Sequence, residues 1–180
     1  MTVPDTISDL GPDFVKFWQH WDALPKDDLL PHLSDYLDSV VPELQPLVSM
    51  MDILSPSDMR IRLLGTRITD MIGELTGSTA ETLYAGQIRQ LAMETSWRAV
   101  EQPCGYAVKR TLRSRSGASI DSAGLVLPMA RGDDGRRTLV SFNGIPRREY
   151  YLDEEMKVSV ETVQAFGPPT WIDVGAGLPA

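Results

Sequence analysis

Residues 59–77 read Met59-Arg-Ile-Arg-Leu-Leu-Gly-Thr-Arg-Ile-Thr-Asp-Met-Ile-Gly-Glu-Leu-Thr-Gly77, and the hydrophobic period changes within them. Met59, Ile61 and Leu63 alternate with Arg60, Arg62 and Leu64, the period-two pattern of a strand with one polar-leaning face. Gly65-Thr66 ends that strand, and Thr66 is a suitable helix N-cap. Ile68, Met71 and Ile72 then form a short helical face, closed by Gly73 at a C′ position, and Leu75-Thr76-Gly77 is a loop. Just upstream, Val48–Ser55 reads as another strand and Pro56-Ser57-Asp58 as a turn, so the two strands predict a β-hairpin.

Downstream, Ser78-Thr-Ala-Glu81 has the spacing of a capping box. A longer helix follows, from Thr79 or Gln87 to Gln102, apolar on Ile88, Leu91, Thr95 and Ala99 and again on Met93, Trp97 and Val100, with Pro103 as its stop. Three strands follow, Tyr106–Arg115, Ile120–Met129 and Arg137–Ile145, with turns at Ser116-Gly117 and Asp133-Asp134-Gly135. Met156, Val158, Val160 and Thr162 alternate once more before Gly167-Pro168-Pro169 interrupts the pattern, and Trp171 points to docking of the tail. Upstream, Phe14, Phe17, Trp18 and Trp21 fall at i, i+3, i+4 and i+7, one stripe of a helix that starts after Gly11 and stops at Leu24-Pro25. A second helix is expected over Leu29–Val41, on Leu30, Leu33, Leu37 and Val40/Val41, with a short turn from Pro42 to Pro46.

Two strands, a helical insertion and three more strands predict an α+β fold. The expected architecture is a five-stranded antiparallel sheet with helices on one face, preceded by N-terminal helices, curved enough to cup a small ligand. Its expected divisions are an N-terminal helical leader over 1–47, a core over 48–145 and a C-terminal extension over 146–180.

Composition narrows the class. The chain has 180 residues, 42% of them hydrophobic, enough for a packed core and too many for global disorder. A single Cys, Cys104, excludes a disulfide framework and a zinc site built from cysteines, and His20 and His32 are too few for a His-rich centre. No apolar run reaches the ~20 residues of a membrane helix, and the first residues lack the basic and apolar segments of an export signal, so a cytoplasmic protein is expected. The net charge is -8, concentrated at one end: residues 1–58 hold eleven Asp/Glu and two Lys/Arg. That surplus argues against nucleic acid as a partner, because such binding rests on Lys/Arg neutralising phosphates. The basic stretches Lys109-Arg110 to Arg115 and Arg136-Arg137 read as solvated strand edges.

Enzyme chemistry finds little support. There is no Gly-x-Ser-x-Gly elbow, phosphate loop or His-Glu-x-x-His, and both His lie in the acidic leader, away from any Ser or Cys nucleophile of the core. Cone-shaped folds that work on small molecules through a pocket Asp and Tyr remain an alternative, with Asp121 and Tyr106 as the residues to consider.

The run Met59–Thr66 and the Gly73-Glu-Leu-Thr-Gly77 after it resemble the PAS domain, and more narrowly a bacterial subfamily of short single-domain PAS proteins. Leu125-Val-Leu-Pro-Met129 followed by Asp133-Asp134-Gly135 is similar to that subfamily's late hairpin, and Trp18…Leu24-Pro25 to its leader. The resemblance covers residues 48–145 well and the first 47 loosely. It implies a sensory or signalling module that binds a small ligand, a protein partner or both, with no enzymatic activity. PAS domains usually report to an attached output domain, and only 35 residues follow Ile145, so the expected receiver is a separate signalling protein or a second copy of the chain. A ligand-free dimeric scaffold is the alternative.

The same resemblance places a small apolar cavity between sheet and insertion helices. Alternation along the strands nominates Ile61, Leu63, Met71, Ile72, Trp97, Tyr106, Val108, Leu127, Val140, Phe142 and Asn143 as its walls, with Arg110 a further polar candidate. The cofactor is left unknown. The position of His20 and His32 before the core argues against haem, and Cys104 lacks the helical Asn-Cys-Arg-Phe setting of a photosensory flavin domain. PAS domains often dimerise through a flanking helix, which makes Phe14, Phe17, Trp18 and Trp21 the expected homodimer contact, with the leader helices touching each other and the basic body; a stripe that caps its own sheet is the alternative.

Overall fold

A computed structural model describes residues 2–26, 28–84, 86–114, 117, 119–144 and 158–179. Arg115, Ser116, Ile145 and Met156 lie outside the described residues, as do the side chains of Glu81, Val158, Val160 and Thr162. The elements run α1 (Asp5–Ser8), α2 (Pro12–Ala23), α3 (Leu33–Asp38), β1 (Val48–Ser55), β2 (Asp58–Leu64), α4 (Thr66–Ile72), α5 (Gly86–Glu101), β3 (Cys104–Ser114), β4 (Ser119–Pro128), β5 (Arg137–Gly144), β6 (Val158–Phe166) and β7 (Thr170–Asp173). Short 3₁₀ turns at Gln45–Leu47 and Ala80–Thr82 lead into β1 and α5.

All strands belong to one antiparallel sheet in the order β2-β1-β5-β4-β3-β6. The five expected strands are present, and the extension adds two. β6 pairs the C-terminal half of β3 and β7 its N-terminal half, side by side along one long strand of 11 residues. Helices cover both faces. On one face α1, α2 and α3 bury Ile7, Phe14, Phe17, Trp18, Trp21 and Tyr36 against Leu125, Leu127, Val140 and Phe142. On the other, α4 and α5 close over Met59, Tyr106, Val108, Val126 and Leu139.

The aromatic stripe of α2 therefore packs into the core of its own chain. Phe17 and Trp21 are fully buried, Trp18 is 1% exposed and Phe14 6%. Phe14 meets the Phe142 ring edge-on at 5.0 Å, and the Trp21 indole N–H donates to the Pro128 carbonyl at 3.1 Å. The second helix is shorter than the periodicity suggests. Pro31 lacks an N–H and disfavours a helical Leu30, so the helix starts only after His32; residues 28–30 form bends and Pro31 bridges back to Lys26. The helix that remains buries Tyr36 and leaves Leu37 44% exposed.

Gly65, the N-cap of α4 in place of the expected Thr66, shows how tightly the hairpin docks. An added Cβ there would lie 2.3 Å from the Gln45 carbonyl oxygen and 2.5 Å from that of Pro46. Gly65→Ala must push backbone against backbone and should destabilise the fold by about 1–3 kcal/mol, read from denaturant unfolding. Phe17→Ala empties a fully buried aromatic site and should cost about 3–5 kcal/mol by the same measurement. Deleting residues 1–25 uncovers a whole face of the sheet and should abolish cooperative unfolding. A deletion chain that folds normally and merely passes from dimer to monomer in light scattering would restore the intermolecular role of the stripe.

Candidate functional site

The face of the sheet under α4 and α5 is apolar at its margins and polar along one row. Cross-strand pairing sets Arg110 opposite Ser122, Gly124 opposite Asn143, and Ser141 opposite Ser49. Arg110 lies along the sheet instead of rising from it. Its Nη2 reaches across β4 and donates to Asn143 Oδ1 at 2.8 Å. Gly124 makes that path possible, since an added Cβ would sit 2.9 Å from Nη2 and 3.3 Å from Cζ. Asn143 in turn donates through Nδ2 to the Leu47 carbonyl at 3.1 Å and to Ser49 Oγ at 3.0 Å. Its hydrogen bonds thus tie β5 to the start of β1 and hold the guanidinium in place.

Above this row stand Ile68, Met71 and Ile72 from α4, Ala80 and Leu83 from the following turn, Tyr84, and Ala92, Met93 and Ser96 from α5. The space between lid and floor is a cavity of about 130 Å³. Arg110 is the one charged residue lining it among the described residues. Tyr106 closes one side, its hydroxyl 3.2 Å from Ser96 Oγ, and burial pushes its phenol well above the ordinary range. Two lining atoms have no hydrogen-bond partner among the described residues: Arg110 Nε and Ser122 Oγ, the latter on a side chain that is 7% exposed.

Six expected wall residues line this cavity: Ile61, Met71, Ile72, Tyr106, Val108 and Asn143. Five do not. Leu63 is separated from Ile61 by a β-bulge: Met50 pairs Leu63 and Met51 pairs Ile61, so Arg62 is an extra residue and the strand changes face there. Leu63 therefore packs on the α2 side and Leu64 takes its place at the cavity. Leu127, Val140 and Phe142 also belong to the face covered by α2, because they are one residue out of step with Val126, Leu139 and Ser141. Trp97 sits beside the cavity, half-buried, with the Arg137 guanidinium 5.2 Å from its ring. Ser49, Ser96, Ser122 and Ala92 were not legible as wall residues, since small and polar side chains carry no apolar signal. Reading Arg110 as a solvated edge also fails, because it is partly buried over Gly124.

Asp121, the acid of the cone-fold alternative, is exposed, bonded to Thr111 and absent from the cavity lining, so it forms no pair with Tyr106 there. Cys104 starts β3 as a fully buried free thiol outside the lining, and burial pushes its pKa up to about 11. The volume is close to the ~150 Å³ that accommodates one benzene molecule, far below what a tetrapyrrole or flavin ring system occupies. Among the described residues no His or Cys lines it, so it offers no imidazole or thiolate ligand to a haem iron and no thiol to a flavin. Among the described residues no three His, Cys, Asp or Glu gather to hold a metal, and no helix is long and apolar enough to cross a membrane.

Among solved structures, a fungal LOV-domain photoreceptor studied for a pathway integrating blue light and oxidative stress is 14% identical to this chain. The alignment covers 77% of this chain and 95% of that one at a TM-score of 0.44, too low to carry weight here. No curated protein sequence matches. The family model for the PAS domain matches residues 12–142, a span that takes in α2, the hairpin, the cavity helices and nearly all of β5. With most of its length matched in this way, the chain belongs to the PAS domain family.

Proposed function

We propose that this protein is a cytoplasmic sensory module that takes a small ligand into the cavity between the sheet and α4–α5 and reports its presence to a protein partner. One observation carries the reading: the cavity is lined by apolar side chains around a fixed polar row with unused hydrogen-bonding capacity. Pockets that bind small molecules have this make-up, an apolar wall with few convergent polar groups. A core that served only packing would be expected to fill such a space and leave no buried hydroxyl unpaired. The lid supports the signalling half of the proposal. α4 is a seven-residue helix between two glycines, and α5 approaches the sheet through Ala92, Ser96 and Ala99, small side chains that let a helix shift with little repacking. A ligand that changes the seat of α4 or α5 changes the surface offered outward, and Leu91 on α5 is 38% exposed there.

Native mass spectrometry of the purified full chain tests the binding half. The expected result is a retained small molecule, lost in Ala92→Leu, whose longer side chain fills the cavity while the melting temperature stays within a few degrees. If neither a retained mass nor a stabilising compound from a library of small apolar molecules is found, the chain is instead a ligand-free interaction scaffold.

A further inference from the structure

The polar row defines what kind of ligand the cavity takes. The Arg110 guanidinium is partly buried, and among the described residues no carboxylate pairs with it; its one hydrogen bond goes to a neutral amide. A cation drawn out of water in this way costs free energy unless an anion or further acceptors meet it. The Nε–H has no acceptor among the described residues. Beside it on the neighbouring strand, the Ser122 hydroxyl is nine-tenths buried and likewise has no partner among the described residues. Two donors without an acceptor among the described residues thus share one end of the cavity, and no Asp or Glu among the described residues lines it. The one charged residue among the described lining is thus a cation, although the whole chain carries -8. Around that end the walls are Ile68, Met71, Leu112 and Phe166, which offer contact to carbon and no hydrogen bond.

We infer that the ligand is a small monocarboxylate with a compact apolar body. Its carboxylate accepts hydrogen bonds from Arg110 Nε and Ser122 Oγ, and its body fills the apolar remainder of the cavity. A guanidinium edge with a neighbouring hydroxyl suits the two oxygens of a carboxylate. A body about the size of a benzene ring is what the volume allows. Asn143 and Gly124 act as positioning residues: the first anchors Nη2, the second leaves the space the guanidinium crosses. The inference rests on the reading of the cavity as a ligand site and specifies its chemistry.

Isothermal titration calorimetry of the full chain with benzoate and 3-methylbutanoate, against benzamide, 3-methylbutanamide and inorganic phosphate, tests it. The carboxylates should bind, their amides at least about tenfold more weakly, since a charged hydrogen-bonded pair is replaced by a neutral one. Arg110→Gln should remove the difference between acid and amide. Ser122→Ala deletes a hydroxyl that has no partner, so the free protein should keep or gain thermal stability while carboxylate affinity falls several-fold. That combination separates a binding role from a structural one even if Arg110→Gln does not fold. Gly124→Ala should weaken the carboxylates by displacing the guanidinium. Amides binding as tightly as acids, or phosphate matching them, overturns the carboxylate assignment and leaves a ligand-binding module standing. If no probe binds and native mass spectrometry finds no retained molecule, the assignment falls together with the ligand reading beneath it.

Discussion

An antiparallel sheet with two apolar faces needs two covers, and in this protein the covers are unequal. The N-terminal cover is an aromatic wedge. Phe14 and Phe17 lie 5.0 and 5.7 Å from the Phe142 ring, and Trp18 and Trp21 stack at 5.5 Å along the same helix. Large rigid rings fill the space against the sheet and bury the face completely. The second cover approaches the sheet through small side chains of α5, Ala92, Ser96 and Ala99, beside the short α4, and a cavity of about 130 Å³ is left beneath it. The cavity follows from that inequality. Stability is concentrated on one face, and room for a ligand is left on the other.

The strand alternation that separates the faces also sorts their chemistry. Phe142 and Asn143 are neighbours in sequence and serve opposite sides: the first packs beneath α2, the second holds Arg110 above. Any ligand that engages Arg110 therefore bears, through Asn143, on β5, whose neighbouring Phe142 side chain is locked into the aromatic core, so that part of the floor is held firmly. Movement is left to the lid. α4 hangs between Gly65 and Gly73, the latter at φ +89°, a conformation that only glycine adopts without strain. A fixed floor with a lid of small contacts is a sound physical basis for a module that converts occupancy into a surface change.

Charge has a similar division. Asp52, 6% exposed on β1, gathers Thr138 at 2.8 Å, Arg62 at 3.2 Å and Arg136 at 3.6 Å. These basic residues are neutralised within the chain, and the segment around Arg136-Arg137 is occupied by this cluster and by the Trp97 ring. Arg110 differs from them in having no acid to meet among the described residues. The distinction depends on which face each side chain enters, and a run of Lys and Arg in one dimension does not display it.

Local chemistry determined a good deal of this protein by sequence alone. The order of strands and helices, the hairpin at Pro56–Asp58, the turn at Asp133–Gly135 and the helical stripe at Phe14–Trp21 follow from side-chain period and from glycine and proline. Those signals act over a few residues and need no knowledge of the rest of the chain. The motifs at 59–66 and 73–77 identified the family for the same reason. Tertiary structure decided everything that depends on parity and partnership. One extra residue at Arg62 moved Leu63 to the far face, and a one-residue phase sent Leu127, Val140 and Phe142 into the core while Val126, Leu139 and Ser141 turned to the cavity. The aromatic stripe found its sheet in its own chain, and β6 and β7 joined β3 across a long connection. Arg110 became a candidate ligand-binding residue because Gly124 is empty and Asn143 accepts, two facts that exist only once three strands lie side by side.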